Sequence, residues 1–191
     1  MPSPETVLRT YLRAKDENRP YLMGQVFCET ATLEMRVHTG NIAFPPVTRG
    51  VAAIADVLAR QFGRSYENVY SFYLDHPPKV ATEFSCRWLV GMSEKENGNV
   101  RVGCGRYDWQ FDPLSNGLAK ALIITIEAME ILPSNRQDAV MRWLNRLPYP
   151  WSSPDAANSA PAIAALAPVL RYIGAAPLTG SGSESNRSNP L

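Results

Sequence analysis

Apolar positions along this chain follow three regimes. They recur at helical spacing up to about residue 62, alternate from about residue 64 to 132, and return to helical spacing after Pro133. In the first regime Ser3 is placed to cap a helix that Pro4 can open, and Val7, Leu8, Tyr11 and Leu12 form its apolar stripe. Leu22, Met23, Val26 and Phe27 predict a short second helix over 20–27. Gly50 opens a third, with Val51, Ile54, Val57, Leu58 and Phe62 on one face. Between them, 39–49 (TGNIAFPPVTR) is rich in proline and glycine and predicts a loop.

The alternating regime predicts half-buried strands. Over 80–90, Val80, Phe84, Cys86, Trp88 and Val90 share one face while Glu83, Ser85 and Arg87 share the other. Turn-forming EKENGN and DPLSNG then separate this strand from runs at 99–112 and 118–132, which makes two hairpins. Helices followed by an antiparallel sheet is an α+β arrangement, with the helices on one face. After Pro133, Val140, Met141, Leu144 and Leu147 read as a helix face. PYPWSSP breaks it, and Ile163, Leu166, Leu170 and Ile173 mark a last helix within 161–173. The division predicted is an α+β domain over 1–132, a helical C-terminal extension over 133–176, and a tail over 177–191 with the composition of a disordered segment.

Composition narrows the functional classes. With 191 residues, 45% of them hydrophobic, the chain can build a core of its own. A formal charge of +1, from 19 basic and 18 acidic residues, lacks the basic footprint that nucleic acid requires. Cys28, Cys86 and Cys104 have no paired spacing and sit in apolar runs, which predicts buried free thiols and a reducing, cytoplasmic setting. Neither an export leader nor an apolar run of about 18 residues is present, so no membrane partner is expected. The two histidines, His38 and His76, have no metal-ligand spacing, and no metal or cofactor is predicted. Phosphate-cradling glycine loops, a nucleophile elbow and a Cys/His pair are all missing from the sequence, which leaves covalent catalysis without support.

The segments 10–37 (TYLRAKDENRPYLMGQVFCETATLEMRV) and 48–62 (TRGVAAIADVLARQF), followed by the strands, resemble the nuclear transport factor 2-like superfamily over roughly residues 5–132. This is the cystatin-like cone fold of ketosteroid isomerases, scytalone dehydratase and SnoaL-like polyketide cyclases, with N-terminal helices packed in a strongly curved antiparallel sheet. The resemblance implies a pocket for a hydrophobic cyclic small molecule. It also implies cofactor-free isomerase, cyclase or dehydratase chemistry, or a non-catalytic binding or assembly role like that of the transport factor and the dioxygenase small subunits. A homodimer through the uncovered sheet face is expected, since the family commonly pairs there.

Carried over residue by residue, the resemblance puts Tyr11 at the isomerase's oxyanion-holding tyrosine and Tyr107, or Asp108 one residue on, at its second donor. Met35 falls at the isomerase's base, and a thioether takes no proton. In the dehydratase pattern Asp16 matches the helix-end aspartate, Met35 replaces a tyrosine and Tyr70 stands near the first histidine. Each has a plainer reading beside it: Tyr11 as a core aromatic, Asp16 as a solvated helix-end carboxylate. Glu127, in the apolar run ALIITIEAMEIL, is either a desolvated acid inside the cone with raised proton affinity or an outer-face partner of Arg106 or Lys120. Gly103 and Gly105 either admit a ligand against Trp88, Tyr107 and Trp109 or mark a bend in the strand.

Overall fold

The computed structural model of the chain describes residues 1–175; the tail expected over 177–191 lies outside them. Helix α1 (Pro4–Asp16) starts where Ser3 Oγ accepts from the Thr6 amide at 3.2 Å, and it buries Val7, Leu8, Tyr11 and Leu12. A tight 3-10 turn, Pro20–Gln25, stands in place of the second helix and leads into β1 (Phe27–Val37). The predicted loop contains a short strand, β2 (Val47–Arg49). The helix expected from Gly50 onward is α2 (Val51–Ala55), a wider π turn over Asp56–Gln61, and α3 (Phe62–Ser65).

Four strands follow: β3 (Tyr66–Tyr73), β4 (Glu83–Glu94), β5 (Val100–Asp112) and β6 (Leu118–Leu132). Strand β4 begins three residues later than its alternation predicts, and Val80 is exposed in the preceding loop. The sheet order is β2-β1-β6-β5-β4-β3. The three long strands β4, β5 and β6 pair antiparallel as expected, and so do the other neighbours except β1 and β6, which are parallel. Strand β1 joins the far edge of the hairpins rather than making a hairpin with β3, because the helical segment 51–65 intervenes and carries the chain across the sheet.

Register shifts bend the β5–β6 ladder. Cys104 pairs with Ala128 and Gly105 with Ile126, leaving Glu127 as the extra residue of a β-bulge. The sheet curls around α1 and the 51–65 segment, and the inner face buries a first core that includes Leu8, Tyr11, Phe27, Tyr73, Trp88, Tyr107, Trp109 and Ile124.

A second core lies on the opposite face. There Phe72, Leu89, Val100, Val102 and Cys104 meet Val140, Trp143, Leu144, Leu166, Val169 and Ile173 from α4 (Gln137–Leu144), the 3-10 turn Ala164–Leu166 and α6 (Ala167–Gly174). The short helix α5 (Pro154–Ala157) adds Ala157. Arg87 of β4, almost fully buried, donates from Nη1 to the carbonyls of Ile173 (2.9 Å) and Ala175 (2.7 Å) and so ties the end of α6 to the sheet. At about 1.5–3 kcal/mol for each large apolar side chain fully buried, this second core is a substantial part of the fold. The argument for a dimer through an uncovered sheet face therefore does not hold over β3, β4 and β5, where the chain's own helices cover that face. The remaining outer strip, carrying Thr32, Glu34, Arg36, Arg106, Asp108 and Ile123, is largely polar.

Candidate functional site

Inside the cone is a small apolar cavity of about 50 Å³. Tyr11 and Lys15 reach it from α1, one helical turn apart, because residues four apart share a helix face. Trp88, Val90 and Met92 come from β4, Tyr107 from β5, Ile124, Ile126 and Met129 from β6, and Met35 from β1. Three methionines among these lining residues give a wall of flexible, polarisable side chains that can repack around different shapes. Met35 therefore lines the cavity as an apolar surface.

Below the cavity, aromatic rings fill the cone. Tyr11 packs edge-on against Tyr107 (centroids 5.8 Å apart), Trp109 (5.0 Å) and Phe27 (6.2 Å), and Trp88 stacks on Tyr107 at 5.6 Å. Above it, Ile42, Phe44 and Phe62 separate the cavity from a wider pocket of about 440 Å³ at the cone mouth. Ile42 and Phe44 belong to 38–46, a strap fastened at several points. His38 N donates to Ile126 O at 2.9 Å, Asn41 Nδ2 to Met129 O at 2.6 Å, and Arg101 Nη1 to Asn41 O.

The polar groups facing the cavity are mostly donors. Tyr11 Oη and Trp88 Nε1 are buried without a hydrogen-bond partner. The Tyr107 hydroxyl is a weak hydrogen-bonding neighbour of Tyr11 Oη, at a geometry short of a regular bond. Burial pushes both phenols far above their ordinary range, and each also feels the negative field of Asp16. Tyr73, also buried, is satisfied: its hydroxyl donates to Leu8 O at 2.9 Å.

Lys15 was not among the residues singled out from the sequence. Its side chain is 8% exposed, with Nζ 2.6 Å from Asp16 Oδ1, 2.7 Å from Ser71 Oγ and 5.0 Å from the centre of the Phe62 ring. The signal for it was its position four residues after Tyr11, outweighed by the usual exposure of lysine. Asp16 is not the solvated helix-end carboxylate of the plainer reading, nor does it line the cavity. At 3% exposure it accepts from Lys15 Nζ, Ser71 N (2.8 Å), Ser71 Oγ (2.9 Å) and Tyr149 Oη (3.3 Å). With four donors converging on it, this carboxylate ties α1, β3 and the 148–152 segment together.

Several other candidates lie elsewhere. Glu127 follows inward-facing Ile126 and so lies on the outer side, one third exposed and 2.9 Å from His38 Nδ1; the bulge then keeps Ala128 outside as well and brings Met129 inward. Tyr70 faces the C-terminal helices, where its hydroxyl donates to Asn145 Oδ1 at 3.2 Å. Asp108 is also on the outer side, paired with Arg106 and Ser85. Trp109 lies in the aromatic layer beneath the cavity. The space above Gly103 is filled by Met129, and that above Gly105 by the Thr125 carbonyl and the Trp88 ring, so these glycines serve the close approach of bent strands rather than of a ligand. Among the described residues, no three His, Cys, Asp or Glu side chains converge and no helix is long and apolar enough to cross a membrane.

No family model matches the chain and no curated protein is similar to it in sequence. Its shape is similar to solved structures. A nuclear transport factor 2-like superfamily protein from Salmonella enterica superposes with a TM-score of 0.52 at 19% identity, covering 65% of this chain and 88% of that one. A candidate isomerase from Rhodopseudomonas palustris gives a TM-score of 0.52 at 13% identity, over 63% and 86% of the two chains. A protein with a ketosteroid isomerase-like fold from Catenulispora acidiphila, in complex with trimethylamine, gives 0.51 at 13%, over 64% and 85%. At these identities the likeness is one of fold: the chain has the nuclear transport factor 2-like cone.

Proposed function

We propose that this cone binds a small apolar molecule carrying an oxygen acceptor, which Tyr11 and Tyr107 hold by hydrogen bonds at the bottom of the cavity. The observation that carries the reading is the Tyr11 hydroxyl, fully buried on the cavity wall and without a regular hydrogen bond among the described residues. An unmade hydrogen bond there costs about 1–3 kcal/mol, which a ligand oxygen would recover. At about 50 Å³ the cavity alone is too small for such a ligand. Because Ile42, Phe44 and Phe62 line both it and the mouth pocket, displacing the strap would join the two into a space of ordinary ligand size, within about 300–1,000 Å³.

The site favours binding over proton transfer. A carbonyl polarised by Tyr11 and Tyr107 would still need a base, yet Met35 occupies the strand position and Asp16 is saturated away from the cavity. If turnover occurs, it is of the cofactor-free isomerase or cyclase kind, with the proton leaving to substrate or solvent. The rival reading, an assembly module pairing through the sheet, meets α4 and α6 on that face. The test is calorimetry or native mass spectrometry of the purified protein against a panel of mono- and bicyclic ketones, phenols and acids, with Tyr11→Phe alongside. Saturable one-to-one binding weakened about tenfold in the variant is expected; no binding by any member would exclude the pocket reading.

A further inference from the structure

We infer that the cavity selects an apolar acid, with Lys15 as the group that recognises its anion. The inference rests on the pocket reading above and names the ligand class. Among the described residues Lys15 is the only charged side chain lining the cavity. An ammonium has three donors; Asp16 and Ser71 take two, and no third acceptor is within hydrogen-bond distance among the described residues. Asp16, which balances that charge, is held by Ser71 and Tyr149 and does not line the cavity, whereas Lys15 does.

The remaining polar groups agree. Tyr11 Oη and Trp88 Nε1 are unpartnered, the Tyr107 hydroxyl is close by, and the rest of the lining is apolar. The wall thus presents Lys15, Trp88 and two phenol donors, with only phenol lone pairs to accept. A carboxylate accepts at about four lone-pair sites and donates nothing, which matches such a wall. A primary amide of the same skeleton brings two N–H donors that would be buried with few acceptors, a costly mismatch. A ketone offers one oxygen and leaves some donors unmade.

The experiment compares acid and amide at neutral pH on the full chain by calorimetry, using 2-naphthoate against 2-naphthamide and octanoate against octanamide. One-to-one binding of the acid at least tenfold tighter than its amide is expected in each pair. Amides that bind as tightly as acids would overturn the inference and leave the pocket reading standing; a wild-type protein that binds neither would overturn both. Lys15→Met alone leaves Asp16 buried without its cation and can fail to fold. The second variant is therefore Lys15→Met with Asp16→Asn, its folding checked by circular dichroism. The acid-to-amide ratio should collapse toward one; an acid preference surviving in the folded double variant would overturn the role of Lys15.

Discussion

Leu144 of α4 stands in the space that a side chain on Gly91 of β4 would need. This contact seats the C-terminal helices on the outer face of the sheet, since Leu144 is fully buried there beside Leu89 and Val102. Gly91→Ala should force Leu144 to move within a closed core. The expected loss is about 1–3 kcal/mol of unfolding free energy in urea, with a change in tryptophan emission from Trp143. Unchanged stability would mean that α4 is held more loosely than its burial implies.

The unpartnered Tyr11 hydroxyl and the bonded Tyr73 hydroxyl should respond in opposite directions to the same substitution. Tyr11→Phe removes a buried donor that has no acceptor, so stability should hold or rise by about 1 kcal/mol. Tyr73→Phe breaks the 2.9 Å bond to Leu8 O and should cost about 1 kcal/mol. Thermal denaturation of the pair reads the contrast directly.

Asp16 joins three elements through four hydrogen bonds while almost fully buried. Asp16→Asn leaves the Lys15 cation without its counter-charge, and a cost of about 3–5 kcal/mol is expected, as for other broken buried pairs. A loss below about 1 kcal/mol, the range of exposed ion pairs, would show that the site is more hydrated than its burial indicates.

The strap should limit access. Ile42 and Phe44 are half-buried plugs between mouth and cavity, so the double substitution to alanine opens the passage at modest cost to the core. Stopped-flow tryptophan quenching by 2-naphthoate should show faster association in this variant. Equal association rates would place ligand entry elsewhere.

Alkaline pH should separate buried from exposed groups. Burial raises the folded pKa of Tyr11, Tyr73 and Tyr107 above 10.0, so the neutral phenols favour the folded state. That contribution is complete below the unfolded value and is lost as pH rises past it toward the folded ones. Phenolate absorbance from these three should therefore appear together with loss of the far-ultraviolet dichroism, not before it. The thiols follow the same logic: burial pushes Cys104 up to about 12 and Cys86 well above 9.0, while Cys28 is half-exposed. In the native state one thiol of three should react promptly with a disulfide reagent.

Much of the chain was legible because the information is local. Ser3 before Pro4, the helical stripe through Tyr11, and the turn residues in EKENGN and DPLSNG place α1, β5 and β6 within a residue of where they are found. The inward direction of Tyr11, Trp88 and Tyr107 followed from counting along a regular helix or strand. Counting left Glu127 either inside or outside and failed beyond it at Met129, because a bulge inserts one residue and reverses the alternation, and a bulge is a property of two paired strands rather than of either sequence. For the same reason Asp16 and Lys15 were misjudged: what buries them is Ser71 and Tyr149, distant in the chain, and their cost in isolation made exposure the natural expectation. By itself, then, the sequence determined most of the elements and, through its resemblance to a known family, the cone. Only the tertiary structure decided that the outer face is covered over β3, β4 and β5, that Ile42 and Phe44 line both the cavity and the mouth pocket, and that Lys15 is the charged side chain on the cavity wall among the described residues, because each depends on side chains brought together from far along the chain.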